Sequence, residues 1–230
     1  MRKVYVMILV VVLVFSVFTL ASTRKAEAKG VESPIKIGIL QDLSGGLAFH
    51  GEWGYRGAAA AIKRINESGG IAGRPIEYIL EDSATSAGTG LKKFKKLVLR
   101  EEVDFVIGPC NTAVDLAITP YAKESNTIYF MGGTALKQTE EGNRYVFRLV
   151  NNMRSEMKAL AIVAMEKWDI YYGIGADYEW GHSVVEETNR ILREKGKKIV
   201  SEAYTPAGTT DFIPFLLKID PKKVDAIVIG

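Results

Sequence analysis

A short strand-like segment that leads through a turn into a helix constrains the fold of this chain more than any other feature. Residues 104–108 are mostly apolar and end in Gly-Pro, a pattern typical of a buried parallel strand with a sharp stop. Residues 112–123 then carry apolar side chains at helical spacing. Thr112 and Asp115 have the spacing of a capping box, so Thr112 is predicted to cap this helix.

The same alternation of strand and helix recurs along most of the chain. Strands are predicted at residues 35–40, 76–80, 104–108, 127–131, 145–150, 170–174, 199–204 and 224–229. Helices are predicted at residues 52–67, 90–102, 112–123, 154–168, 183–195 and 211–217. Alternation of this kind predicts an α/β fold of two doubly wound parallel-sheet lobes. We expect the first lobe to span residues 29–150 and the second to span residues 151–230.

The N-terminal residues have the pattern of a secretory signal peptide. Arg2 and Lys3 precede an apolar run without charge at residues 4–21, and Ala26-Glu27-Ala28 has the small-x-small pattern of a cleavage site. We therefore predict that residues 1–28 are removed and that the protein is exported to a periplasmic or extracytoplasmic location. The apolar run is also long enough for an uncleaved membrane anchor, which is the alternative.

Charge and cysteine content exclude several kinds of partner. Four of the 30 basic residues and one of the 27 acidic residues lie in residues 1–28, so the remaining chain has 26 of each. A neutral chain argues against nucleic acid as a partner. Cys110 is the only cysteine, so no internal disulfide can form, and a small side chain in a crowded turn is its expected role.

Motifs for enzymatic chemistry are missing from the sequence. It contains no P-loop, no CxxC, no HExxH and no GxSxG. Its two histidines, His50 and His182, have no accompanying cluster of metal ligands. The sequence therefore predicts a protein that is not an enzyme and that uses no metal or cofactor. An α/β enzyme of another kind remains an alternative at this point.

Residues suited to ligand binding follow several predicted strands. Residues 44–51, 109–112 and 132–134 of the first lobe and residues 177–181 of the second are rich in glycine, hydroxyl and aromatic side chains. The carboxyl ends of parallel strands are where open α/β sheets bind ligands, and helix N-terminal amides there suit an anion such as a carboxylate. We expect a small-molecule site between the lobes, although a Thr112 that only caps its helix is the alternative.

Several segments of the chain, in order, resemble the extracytoplasmic solute-binding proteins of ABC importers. The resemblance is to the branched-chain amino acid (Leu/Ile/Val-binding) family, which has the type I periplasmic-binding-protein fold, and it covers residues 35–230. The segments that carry it are IKIGIL, DLSGGLAFHGEWGYRGAAAAIKRIN, ESGGIAGRPIEYILEDS, VDFVIGPCNT, VFRL, DYEWGHSVVEE, PAGTTDFIPFLLKI and VDAIVIG. The resemblance implies that two lobes close on an amino acid or a similar small polar solute, which is delivered to a membrane permease.

The resemblance also implies which residues bind the ligand. Thr112, with backbone amides of its helix, corresponds to the family's carboxylate clamp, and Gly133 and Thr134 correspond to a second clamp. Trp180 corresponds to an aromatic side chain contributed by the second lobe. His50 occupies the place of an aromatic side chain in the first loop, which is a departure from the family pattern.

Family members extend beyond the segment that corresponds to this sequence, so the resemblance implies an incomplete second lobe. The family's acidic residue for the ligand's amine has no counterpart in the sequence. We expect an exposed face on the second sheet, self-association and weak ligand binding for residues 29–230 alone. A ligand-sensing receptor ectodomain of the same fold is the alternative function, and an uncleaved N-terminal anchor would favour it.

Overall fold

The computed structural model describes residues 33–164, 166–206 and 208–230. The predicted signal peptide at residues 1–28 lies outside the described residues. The strands are β1 (Ile35–Gln41), β2 (Ile76–Asp82), β3 (Phe105–Ile107), β4 (Ile128–Met131), β5 (Val146–Arg148), β6 (Ile170–Ala176), β7 (Lys198–Thr205) and β8 (Ala226–Ile229). The helices are α1 (Ala48–Glu67), α2 (Ala87–Leu99), α3 (Thr112–Glu124), α4 (Lys137–Glu140), α5 (Met153–Ala164), α6 (Glu179–Arg193) and α7 (Ile213–Leu216). None of the helices in this part of the chain is long and apolar enough to cross a membrane.

The strands form two separate sheets in which every paired strand is parallel. The first sheet has the order β2-β1-β3-β4-β5 and the second has the order β7-β6-β8. This arrangement confirms the predicted fold class. We use first lobe for the part built on β1–β5 and second lobe for the part built on β6–β8. In each sheet the first strand of the lobe lies between the second and the third, which creates the crevice where such sheets bind ligands.

Strand β1 shows why the first lobe is covered by helices on both faces. Ile37 and Ile39 pack on one face with Ile62 of α1. The next side chains along the strand point the other way, so Leu40 packs in the cluster that contains Phe94 and Val106. A strand that is apolar on both faces needs a helical layer on each side, and this is what α1 and the α2–α3 pair supply.

The second sheet is buried on both faces at its central strand β6, where Tyr172 and Ile174 are 5% and 4% exposed, but its edge strand β8 is covered on one face only. Tyr171 and Val228 pack against Val184 of α6 and Met153 of α5. On the neighbouring positions of β8, Ile227 and Ile229 remain 41% and 74% exposed. After β7, the only helix in the described residues is the four-residue α7. The sequence predicted that one face of this sheet is exposed, and the structure shows this exposure at Ile227 and Ile229 of β8 but not at their neighbours on the same face of β6.

Helices α1 and α6 each begin four residues earlier than the sequence predicted, and the cap of α3 is a different residue. Helix α1 begins at Ala48, so His50 lies in its first turn, and α6 begins at Glu179, so Trp180 lies in its first turn. The cap of α3 is Asn111 and the prediction of Thr112 was wrong. Asn111 is in an extended conformation, and its side-chain oxygen accepts from the amides of Ala113 (2.9 Å) and Val114 (3.3 Å). Thr112 is thereby the first helical residue.

Candidate functional site

The loops at the carboxyl ends of strands from both lobes enclose a cavity of about 290 Å³, which we call the inner chamber. Four of the five predicted site residues line it, namely His50, Thr112, Thr134 and Trp180. Its further walls come from Leu47, Cys110, Asn111, Gly132 and Tyr178. The fifth predicted residue, Gly133, is not among the lining residues. The switch points of the two sheets thus bring together side chains that lie far apart in the sequence.

Thr112 contributes a buried hydroxyl group to the site. The residue is 1% exposed, and its Oγ1 makes no hydrogen bond with any described residue. A buried polar group without a partner costs about 1–3 kcal/mol, so such groups are rare in folded proteins. Because Thr112 lines the inner chamber, its hydroxyl is available to a ligand there.

The amides of α3 are less available than the sequence suggested. The expectation was that the first amides of this helix are free to bind an anion. The side chain of Asn111 instead accepts from Ala113 and Val114, and its backbone carbonyl accepts from Asp115 at 3.0 Å. The favourable contribution of α3 to an anion therefore comes from its dipole and from the Thr112 hydroxyl more than from free amides.

Thr134 and Trp180 connect the two lobes across the inner chamber. The indole Nε1 of Trp180 donates to the Thr134 hydroxyl oxygen at 3.1 Å. The backbone carbonyl of Thr134 accepts from Met153 (2.7 Å) and from Arg148 (3.1 Å), which holds this residue in place. The Thr134 hydroxyl acts as an acceptor toward Trp180, so its own hydrogen remains free to donate to a ligand.

Gly133 has a structural role beneath the chamber wall instead of the predicted clamp role. Its amide donates to a carboxylate oxygen of Asp115 at 2.9 Å, away from the chamber-lining residues. A Cβ atom at Gly133 would lie 2.3 Å from the Gln138 amide and 2.6 Å from the Asp115 carboxylate. Only glycine fits this position, and the residues on either side of it, Gly132 and Thr134, form the wall.

Asp115 is a buried carboxylate that organises this wall, and the capping-box pattern did not reveal that role. It also accepts hydrogen bonds from the Tyr129 hydroxyl and from Gln138 Nε2, the latter at 2.7 Å. Burial raises the pKa of Asp115 to about 7 despite these three donors. One sequence feature could have indicated this role: Asp115 lies in α3 three residues before the buried Ile118, on the helix face where an apolar side chain is expected.

A second buried carboxylate, Asp42, follows β1. Its side chain is 0% exposed and accepts a hydrogen bond from the Ser83 hydroxyl. Burial raises the pKa of Asp42, and its charge adds to the effect of burial on Asp115. Among the described residues, no group of three or more His, Cys, Asp or Glu side chains is placed to hold a metal ion.

Tyr178 lines the inner chamber but was not among the predicted site residues. It is the N-cap residue of α6, and its ring stacks on Trp180 with 6.2 Å between centroids and 22° between planes. The two rings together form the aromatic wall from the second lobe. The signal in the sequence was the pair of aromatic residues in the segment after β6, of which only Trp180 was selected.

Cys110 provides a chemical test of the chamber because it is the only thiol in the chain. Desolvation by the surrounding protein and the nearby Asp42 carboxylate raise the pKa of this thiol to about 11. We expect Cys110 to react with iodoacetamide at pH 7.5 about 10- to 100-fold more slowly than an ordinary cysteine, because the thiolate is the reactive form and its smaller fraction is partly offset by its greater nucleophilicity. A bound ligand should slow the reaction further. Mass spectrometry of the labelled protein measures both effects, and labelling as fast as free cysteine would contradict this environment.

Comparison with known proteins places the chain in a family. The family model described as periplasmic binding protein matches residues 34–230. The leucine-, isoleucine-, valine-, threonine- and alanine-binding protein of Pseudomonas aeruginosa is 25% identical over 199 residues, which are 85% of this chain and 53% of that protein.

Solved structures show the same similarity. A periplasmic binding protein from Burkholderia mallei superposes with a TM-score of 0.78 at 25% identity, covering 84% of this chain and 52% of the other. The branched-chain amino acid transporter substrate-binding protein LivJ from Streptococcus pneumoniae, in complex with isoleucine, has a TM-score of 0.72 at 25% identity, with coverage of 85% and 56%. The chain spans about half the length of the curated relatives it matches. On the match over residues 34–230, the chain belongs to the periplasmic binding protein family.

Proposed function

We propose that this protein is the solute-binding component of an ABC importer and that it binds an amino acid or a similar small carboxylate between its two lobes. The observation that carries the proposal is the buried hydroxyl of Thr112, which has no hydrogen-bond partner among the described residues and belongs to a residue that lines a chamber between the lobes. A ligand oxygen in that chamber would supply the missing partner. Family membership supports the same class of function.

The chemistry of the chamber favours a carboxylate. The hydroxyl groups of Thr112 and Thr134 can each donate a hydrogen bond, and charge-assisted bonds of this kind are about twice as strong as neutral ones. The N-terminal end of α3 adds a favourable dipole. Trp180 and Tyr178 supply an apolar wall for the remainder of the ligand. A volume of about 290 Å³ is at the lower end of the range for ligand pockets, which suits a small solute.

Binding is proposed to stabilise the closed arrangement of the lobes. Trp180 already donates to Thr134 across the chamber, and Lys137 of the first lobe lies 3.9 Å from Glu179 of the second. A ligand that contacts both lobes adds to these links and shifts the population toward the closed state. The permease of the importer would then recognise the closed form. Export to the periplasm or extracytoplasmic side belongs to the same proposal.

Thr112→Ala tests the proposal directly. In the full-length protein we expect this change to weaken binding of carboxylate ligands about 10- to 100-fold, the equivalent of losing one charge-assisted hydrogen bond. The free energy of unfolding should not fall, since the hydroxyl has no partner to lose among the described residues and its unpaired burial is itself unfavourable. Calorimetry with the common amino acids measures the affinity, and urea unfolding measures the stability.

Thr112→Ser is the matched control because it keeps the hydroxyl group and should keep most of the affinity. Unchanged affinity in Thr112→Ala would remove this hydroxyl from the ligand site. Absence of binding by any small carboxylate to the unsubstituted protein would overturn the proposed function itself.

A further inference from the structure

A second cavity of about 380 Å³, which we call the outer chamber, adjoins the inner chamber. Leu47, Asn111 and Tyr178 line both cavities, so the two spaces meet at these residues. The outer chamber does not contain any of the five residues that the sequence predicted for the site.

The outer chamber lies on the side of the cleft away from the connection between the lobes. Thr85 follows β2 and Thr205 ends β7, and each of these strands is an edge strand of its sheet. At the opposite edge of the first sheet, β5 is the last strand before the chain enters the second lobe. A ligand that extends from the inner chamber into the outer one would thus extend toward the mouth of the cleft.

The walls of the outer chamber are suited to an apolar group. Leu47, Ala113, Pro206 and Phe212 line it together with the ring of Tyr178, and none of its described lining residues carries a charge. Phe212 is 44% exposed, so contact with a ligand would remove apolar surface from water.

The threonine hydroxyls and the Asn111 side-chain oxygen in these walls are already engaged. The hydroxyls of Thr85, Thr205 and Thr209 each donate to a backbone carbonyl, at 2.8, 3.5 and 2.7 Å. The side-chain oxygen of Asn111 accepts from the amides of α3. A charged group placed here would lose its water without gaining a partner of opposite charge, which is unfavourable. The inner chamber differs, because the Thr112 hydroxyl there has no hydrogen-bond partner among the described residues.

We propose that the outer chamber binds the apolar tail of the ligand whose carboxylate lies in the inner chamber. The inference rests on the proposed function and deepens it. The substrate class is then a carboxylate that carries an aromatic ring or a long aliphatic chain, and this tail would pass Leu47, Asn111 and Tyr178, where the two chambers meet.

Ala113→Phe is the variant that tests this proposal. Ala113 is exposed in the first turn of α3 and lines the outer chamber but not the inner one, so a larger side chain there would fill the space for the tail. Ala61→Phe is the matched control, because Ala61 is an exposed residue of α1 that lines neither chamber. Calorimetry on the full-length protein compares L-alanine and L-valine with L-phenylalanine and 4-phenylbutyrate.

We expect the phenyl-bearing acids to bind more tightly than alanine, and Ala113→Phe to weaken them at least about tenfold while alanine and valine change little. Ala61→Phe should alter none of these affinities. Phe212→Ala, at a half-exposed position, provides a second variant that should weaken only the phenyl-bearing acids. Equal effects of Ala113→Phe on short and long acids, or no gain from a phenyl tail, would overturn the inference while leaving binding of the short acids as support for the proposed function. Failure of all four acids to bind would overturn both.

Discussion

Replacement of Asp115 by Ala is expected to lower the free energy of unfolding by at least about 3 kcal/mol. The carboxylate accepts hydrogen bonds from the Tyr129 hydroxyl, the Gly133 amide and the Gln138 side chain. All three donors are buried, and Ala leaves them without an acceptor, which outweighs the benefit of removing a buried carboxylate. Urea unfolding followed by circular dichroism measures the loss. Glu124→Ala, at an exposed position on the same helix, is the matched control and should change stability by less than about 1 kcal/mol.

Asp115 also predicts a pH dependence whose sign follows from its raised pKa. The folded protein holds the Asp115 proton up to about pH 7, whereas the unfolded chain loses it near pH 4. Between these values the folded state binds more protons, so the contribution of Asp115 to stability falls as the pH rises. Asp115→Asn cannot ionise, so its stability relative to the unsubstituted protein should increase from pH 4 to pH 8. The raised pKa of Asp42 also makes stability fall as the pH rises, but Asp42 is present in both the unsubstituted protein and Asp115→Asn, so its effect cancels in the comparison.

A stability difference between these two proteins that does not vary with pH would contradict this account of Asp115. If the free energy of unfolding of Asp115→Ala lies within about 1 kcal/mol of that of the unsubstituted protein, the three donors must find other acceptors.

Residues 29–230 expressed alone are expected to self-associate. Ile227 and Ile229 are 41% and 74% exposed on one face of the second sheet. They lie on β8, an edge strand whose outer backbone groups are not paired with a neighbouring strand. An apolar edge of this kind favours pairing with another chain. Light scattering should give a mass above that of a monomer, and the mass should rise with protein concentration.

The double variant Ile227→Thr, Ile229→Thr should reduce this association, because threonine keeps the β-branched shape that suits a strand and replaces an ethyl group by a hydroxyl. Ile71→Thr is the control. Ile71 is 49% exposed but lies in a turn outside the sheets, and isolated apolar residues on a surface are ordinary. A monodisperse monomer at high concentration, in the absence of either change, would mean that the exposed face does not drive association.

Much of the architecture could be predicted because it depends on local patterns. An apolar run that ends in Gly-Pro, followed by helical spacing, specifies a strand and a helix wherever the chain lies in space. The alternation of such units predicts parallel sheets and places the loops after the strands at one edge. His50, Thr112, Thr134 and Trp180 could be selected from these loops and from the family resemblance, and the structure brings all four to one chamber.

Other features of the site depend on contacts between residues that are distant in the sequence, so they could not be predicted from it. Whether Asn111 or Thr112 caps α3 is decided by the backbone conformation of the turn, which is extended at Asn111. Asp115 looked like part of a capping box, but its partners Tyr129 and Gln138 lie 14 and 23 residues away and meet it only when α3 packs on the sheet. The order of strands and helices, and the loops that carry the ligand chemistry, could be predicted from the sequence because they depend on neighbouring residues. Three properties arise instead from packing between lobes and layers: Gly133 faces a buried carboxylate, Tyr178 lies between two chambers, and the Thr112 hydroxyl has no partner among the described residues.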